Sequence, residues 1–133
     1  MHLNPYLLFD GHCEAAFKFY AQVLQGKIES IFKHSEAPPE MKVASDWKDK
    51  VMHARLVVGD QVLLGSDAPP SHYSKPQGFS VSYSLKDTAE GSRVFNELSQ
   101  GGQIKMPFGK TFWSPGFGML EDRFGIPWMI NCE

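Results

Sequence analysis

The C-terminal stretch from Phe117 to Cys132, F-G-M-L-E-D-R-F-G-I-P-W-M-I-N-C, leaves the chain little choice of conformation. Two apolar runs, Phe117 to Leu120 and Ile126 to Ile130, flank a polar turn at Glu121 to Gly125, the pattern of two strands joined by a tight reversal. A second stretch, V-M-H-A-R-L-V-V-G-D-Q-V-L-L-G-S from Val51 to Ser66, has the same design, with Gly59-Asp60 at the bend, where glycine meets a positive φ without strain. One hairpin unit is therefore expected twice.

The segments before each hairpin repeat as well. Leu3 to Phe9 is a short apolar run closed by Asp10-Gly11 and predicts a strand. From about His12 to Leu24, Ala16, Phe17, Tyr20, Val23 and Leu24 fall on one stripe at helical spacing, and Gly26 is expected as the C-cap. Lys27 to Lys33 predicts a second strand. In the second half, Phe79 to Leu85 alternates, with Val81, Tyr83 and Leu85 on one face and Ser80, Ser82 and Ser84 on the other. Asp87 or Thr88 can cap a helix to about Gln100, with Val94, Phe95 and Leu98 on its apolar side and Gly101-Gly102 at its end. Ile104 to Phe108 predicts a short strand. Each half thus reads βαβββ, an α+β design in which the helix covers one sheet face and leaves the other free. The three serines on that free face are either solvated or line a cavity. Between these parts, the prolines and charges of Ser35 to Lys50 predict a long surface connection that can serve as a lid. Asp67 to Gly78 predicts the link between the halves.

Length and composition agree with one domain over residues 1–133, with module one at about 1–66, a linker at 67–77 and module two at 78–133. A chain of 133 residues buries about two-thirds of its unfolded surface without staples. Hydrophobic content of 42% with 13% aromatic is that of a folded chain, whose aromatics can fill a core or line a pocket. Thirteen basic against fifteen acidic residues, in no long run, exclude a nucleic-acid footprint. No segment is long enough to span a bilayer, and the N-terminus has no basic region ahead of its apolar run, so neither a membrane partner nor a secretory leader is expected. Cys13 and Cys132, far apart, support no disulfide framework, and a reducing cytoplasm is the expected compartment.

The repeated βαβββ plan, P-Y-L-L-F-D-G-H-C-E-A-A-F-K-F-Y, M-H-A, S-D-A-P-P and T-F-W-S-P-G-F-G…D-R-F-G-I-P-W-M-I-N together resemble the PhnB-like branch of the vicinal oxygen chelate superfamily. That superfamily includes glyoxalases, ring-cleaving dioxygenases and fosfomycin- and bleomycin-resistance proteins. The resemblance implies a cup-shaped, mixed eight-stranded sheet built from two modules with helices on the outer face, and a homodimer. The branch carries a demethylubiquinone methyltransferase label. The sequence has neither the glycine-rich turn nor the repeating β-α order that usually holds S-adenosylmethionine.

Metal-using members of the superfamily place four ligands, one on the first and one on the last strand of each module. By position these fall on Pro5, His53, Ser80 (or Phe79) and Met129. Proline has no side-chain donor, and a hydroxyl and a thioether hold hard or borderline cations poorly, so no metal cofactor is expected. The alternative is a shifted site that uses Glu121 beside His53. Strand alternation puts His53 and Arg55 on one face, a pair suited to an anionic or oxygen-rich ligand or, equally, to satisfying local groups. Cys13, near a helix N-terminus, is a candidate for a slightly acidified thiol.

Two functions follow as expectations. One is a metal-independent small-molecule binder, of the sequestering kind found among bleomycin-resistance relatives: Phe9, Phe112 and Trp113 supply stacking surface, and His53, Arg55, Ser80, Ser82 and Met129 contact the ligand. The other is a lyase, isomerase or transferase in which His53 is catalytic and moves protons, with or without a divalent metal. Phe112 and Trp113 also fit a core or a dimer contact.

Overall fold

In a computed structural model, residues 1–38 and 45–133 are described. The first compact unit, Met1–Ser74, holds β1 (Tyr6–Phe9), α1 (Cys13–Leu24), β2 (Lys27–Lys33), β3 (Val51–Val58) and β4 (Gln61–Asp67). The second, Lys75–Glu133, holds β5 (Val81–Leu85), α2 (Thr88–Leu98), β6 (Gln103–Gly109), β7 (Gly116–Glu121) and β8 (Pro127–Cys132). Each unit is a βαβββ module with one four-stranded mixed sheet, ordered β1-β4-β3-β2 in the first and β5-β8-β7-β6 in the second. In both, the first strand runs parallel to the last, and the remaining pairs are antiparallel. The α+β class and both hairpins stand as the apolar patterning predicts.

The first module packs α1 on one sheet face. Leu7 and Phe9 of β1, Ala54 and Leu56 of β3 and the α1 residues Ala16, Phe17, Tyr20 and Val23 are buried together. Gly65 is forced by this packing, since a Cβ there would lie 2.8 Å from the Phe17 ring. Three boundaries differ from expectation. β1 begins at Tyr6 because Pro5 has no N–H to give the ladder, although its carbonyl still accepts from Leu64 N at 3.0 Å. The left-handed residue that ends α1 is Gln25 (φ 55°), and Gly26 is instead needed for close approach: a Cβ there would sit 2.7 Å from the Val57 carbonyl. Asp67, expected to open the linker, is the buried last residue of β4, and the units divide between Ser74 and Lys75.

In the second module Val94, Phe95 and Leu98 of α2 are buried with Leu120, Ile126, Trp128, Ile130 and Cys132. Asp87 is the N-cap, its carboxylate accepting from Ala89 N and Glu90 N at 2.9 and 3.4 Å. β6 is longer than Ile104 to Phe108 and carries two register shifts, between Ile104 and Met106 and between Met106 and Gly109. β5 starts at Val81, later than predicted. Of the lid expected over Ser35 to Lys50, residues 39–44 lie outside the described residues; its described ends form short 3₁₀ turns at His34–Glu36 and Ser45–Trp47. No helix among the described residues is long and apolar enough to cross a membrane.

Candidate functional site

The sheet face turned away from α1 carries the first module's polar candidates. Alternation along β3 buries Ala54 and Leu56 against the helix and puts half-buried His53 and Arg55 on the other side. Register adds Tyr6, which sits level with Leu64, itself opposite Arg55. The Tyr6 hydroxyl is 3.5 Å from His53 Nδ1 and the two rings lie 6.0 Å apart. The contact admits either ring tautomer: with Tyr6 donating, Nδ1 accepts and Nε2 carries the proton, and with Nδ1 protonated the Tyr6 oxygen accepts and Nε2 is a free acceptor. Arg55 is partly committed: its Nε donates to Glu29 Oε1 at 2.8 Å, in an exposed pair that contributes little to stability. Neither Tyr6 nor Glu29 was a candidate from sequence. Tyr6 comes into reach only through the parallel β1–β4 pairing, and Glu29 only through the register shift between Ile28 and Ser30.

Phe9 does not share that face. It is 1% exposed, with its ring edge-on to Phe17 at 6.2 Å, so it belongs to the core under α1.

The second module presents its own free face. Ser82 and Ser84 of β5 are exposed on it, and Ser82 pairs with Met129 and Ser84 with Asn131. Ser80 precedes the strand and is half-buried. Phe112 (97% exposed) and Trp113 (53%) project from the loop before β7, edge-on to each other at 4.8 Å, and Trp113 meets Phe117 at 5.3 Å. That loop is pinned from below. The buried Ser114 hydroxyl lies 2.6 Å from the Cys132 carbonyl and 2.8 Å from the Gly116 carbonyl, and Thr111 Oγ1 accepts from Ser114 N at 3.1 Å.

The remaining acidic groups and the Cys13 thiol have structural surroundings. Asp122 Oδ1 accepts from Phe124 N and Ile126 N, at 2.9 and 3.0 Å, and Oδ2 from Trp128 Nε1 at 2.9 Å, which fixes the hairpin turn. Asp67 accepts from Gly11 N and Cys13 N through Oδ1 and from Val51 N through Oδ2. Cys13 is not an acidified thiol. Burial, followed by the negative charge of Asp67 and Glu14, pushes its pKa above the ordinary thiol range. Glu121, the alternative metal ligand, pairs with Lys75 at 3.1 Å.

These environments do not suit the groups that the fold family and its label imply. Among the described residues no three His, Cys, Asp or Glu side chains gather as a metal site, and the family positions offer Pro5, His53, Ser80 (or Phe79) and Met129. A methyl donor of the S-adenosylmethionine type is usually held by a glycine-rich turn with free backbone amides after a first strand. Here Gly11 and Cys13, the amides in that place, are both given to Asp67.

Comparison with known proteins agrees with this fold. The chain is 32% identical to protein YjdN of Escherichia coli over 139 residues, covering 98% of this chain and 95% of that one. It resembles the crystal structure of protein PA1353 from Pseudomonas aeruginosa with a TM-score of 0.92 and 46% identity, covering 100% of this chain and 98% of the other. The PhnB protein from Bacillus cereus matches with a TM-score of 0.83 and 27% identity, each chain covered in full. A family model described as 3-demethylubiquinone-9 3-methyltransferase matches residues 1–131. The chain therefore belongs to that family, the PhnB-like branch of the glyoxalase-like vicinal oxygen chelate superfamily.

Proposed function

We propose that this protein binds a small organic molecule and does so without a catalytic divalent ion. The observation that carries the reading is the donor set at the family's metal positions, where His53 alone is a strong ligand and Pro5 is none. In the first module Tyr6, His53 and Arg55 supply a phenol, an imidazole and a cation beside an apolar strand surface. In the second, Ser82, Met129, Phe112 and Trp113 supply hydroxyl, thioether and exposed aromatic surface. The protein acts as a homodimer, the usual way for edge strands and exposed apolar side chains such as Phe32, Phe79 and Ile104 to be covered. The two free, buried cysteines fit a reducing cytoplasm.

A second reading rests on the Tyr6–His53 contact: a lyase, isomerase or transferase in which His53 transfers a proton and Tyr6 holds its tautomer. Elemental analysis after dialysis, then titration with zinc, nickel and manganese, tests the metal-free part of the binder reading, and turnover that is lost in His53→Ala with no ion bound marks the proton-transfer enzyme instead. The binder reading expects no stoichiometric ion. A one-to-one ion that disappears in His53→Ala overturns it in favour of a metal-dependent enzyme.

A further inference from the structure

The strand register of the second module lines up three thioethers. Met106 of β6 lies opposite Met119 of β7, and Met119 lies opposite Met129 of β8. Residues directly opposite share a sheet face, and neighbouring strands are about 4.8 Å apart. The two bulges of β6 create the row. Ile104 pairs with core Leu120, and the first bulge turns Met106 to the face that carries Met119. The second returns Phe108 to the helix side, where its ring packs on Phe95 at 5.7 Å. Without the bulges, simple alternation would leave Met106 on the face of Ile104. None of the three methionines is buried, and Met106 is 40% exposed. Their neighbours on this face are Ser82, Phe117 and, through Phe117, Trp113. Glu121 is already paired with Lys75.

We propose that Met106, Met119 and Met129 form a binding site for a soft monovalent cation of the copper(I) or silver(I) class. A thioether is neutral, polarisable and a poor ligand for hard or borderline ions, so the property that removes Met129 from a divalent site suits this row to a soft ion. Three rotatable bonds let each side chain lean toward its neighbour. The outer strands are about 10 Å apart, so an ion is held chiefly by two adjacent sulfurs, with Met119 common to either pair. No ligand has to lose a proton, so binding is flat across pH 6 to 8, unlike capture by a histidine or thiol. The row reaches beyond the organic-ligand reading above and does not depend on it.

The test uses the full chain labelled with ¹³C at the methionine methyl groups, titrated with silver nitrate in chloride-free buffer. The Met106, Met119 and Met129 resonances are expected to move together and saturate near one equivalent, equally at pH 6 and pH 8, while Met1 and Met52 stay still. Met119→Leu should weaken binding at least tenfold, and Met106→Leu or Met129→Leu less. A Cys13→Ala/Cys132→Ala variant should keep the response; if it fails to fold, the residue-resolved spectrum of the unaltered chain decides. Unmoved row methyls, indiscriminate movement of every methionine, or a response that survives Met119→Leu and vanishes with the cysteines each overturns the proposal.

Discussion

Asp122 shows how much one buried carboxylate can specify. It has two backbone amides and the Trp128 indole as donors, in a residue only 2% exposed. Asp122→Ala leaves those donors without their partner and is expected to destabilise the chain by about 3 kcal/mol, read as a lower urea midpoint at unchanged slope. Cys13 makes the opposite point. A thiol whose folded pKa is raised stays protonated while the unfolded thiol ionises, so its contribution to stability is complete below the ordinary thiol range and is lost as pH rises beyond it. Labelling with iodoacetamide at pH 8 should be many-fold slower in native protein than in urea; rapid native labelling of Cys13 would show that the site opens.

The two helices, alike in length and place, start by different means. α2 has its cap next door in Asp87, whereas His12 makes no side-chain cap for α1, and the amides of Gly11 and Cys13 are met by Asp67, more than fifty residues later. The aromatic loop before β7 is likewise held by a residue that does not itself reach the surface. Ser114→Ala removes the hydroxyl that ties the loop to the end of β8 and should cost about 1–3 kcal/mol while shifting Trp113 emission toward that of a freely hydrated indole. Trp113 should also report on a bound organic molecule. Trp113→Phe is expected to remove most of any fluorescence change on binding, and a change that persists intact would assign the loop a purely structural role.

At the scale of the molecule, each module closes one sheet face with its helix and leaves two edge strands, β1 and β2 in the first and β5 and β6 in the second. β6 is blunted by Pro107, two bulges and Lys105, devices that discourage open-ended pairing, yet it still exposes Ile104 and Met106. Sedimentation at micromolar concentration is expected to give the mass of a dimer; a monomer there would sink the homodimer proposal. The donor set at the family positions belongs to this scale too, because a family fold does not carry its chemistry with it when the ligating side chains are replaced.

Apolar period and turn chemistry act within a few residues, and for that reason the two helices, both hairpins, a cap at Asp87 or Thr88 and the shared face of His53 and Arg55 were legible in the sequence. Phe9 shows the limit of the same signal. Its place in a strand was readable, but whether its face met a helix or open surface depended on how α1 lies on the sheet. Tyr6 beside His53, Glu29 on Arg55, Asp67 under α1 and the methionine row all depend on strand register or on partners distant in sequence. A single bulge reverses which face every later side chain takes, and the stability of a bulge is decided by what packs on either side of it. The sequence by itself therefore determined which elements form and which residues alternate together; only the tertiary structure decided which of those residues meet, because register and packing are properties of pairs of elements and not of either one alone.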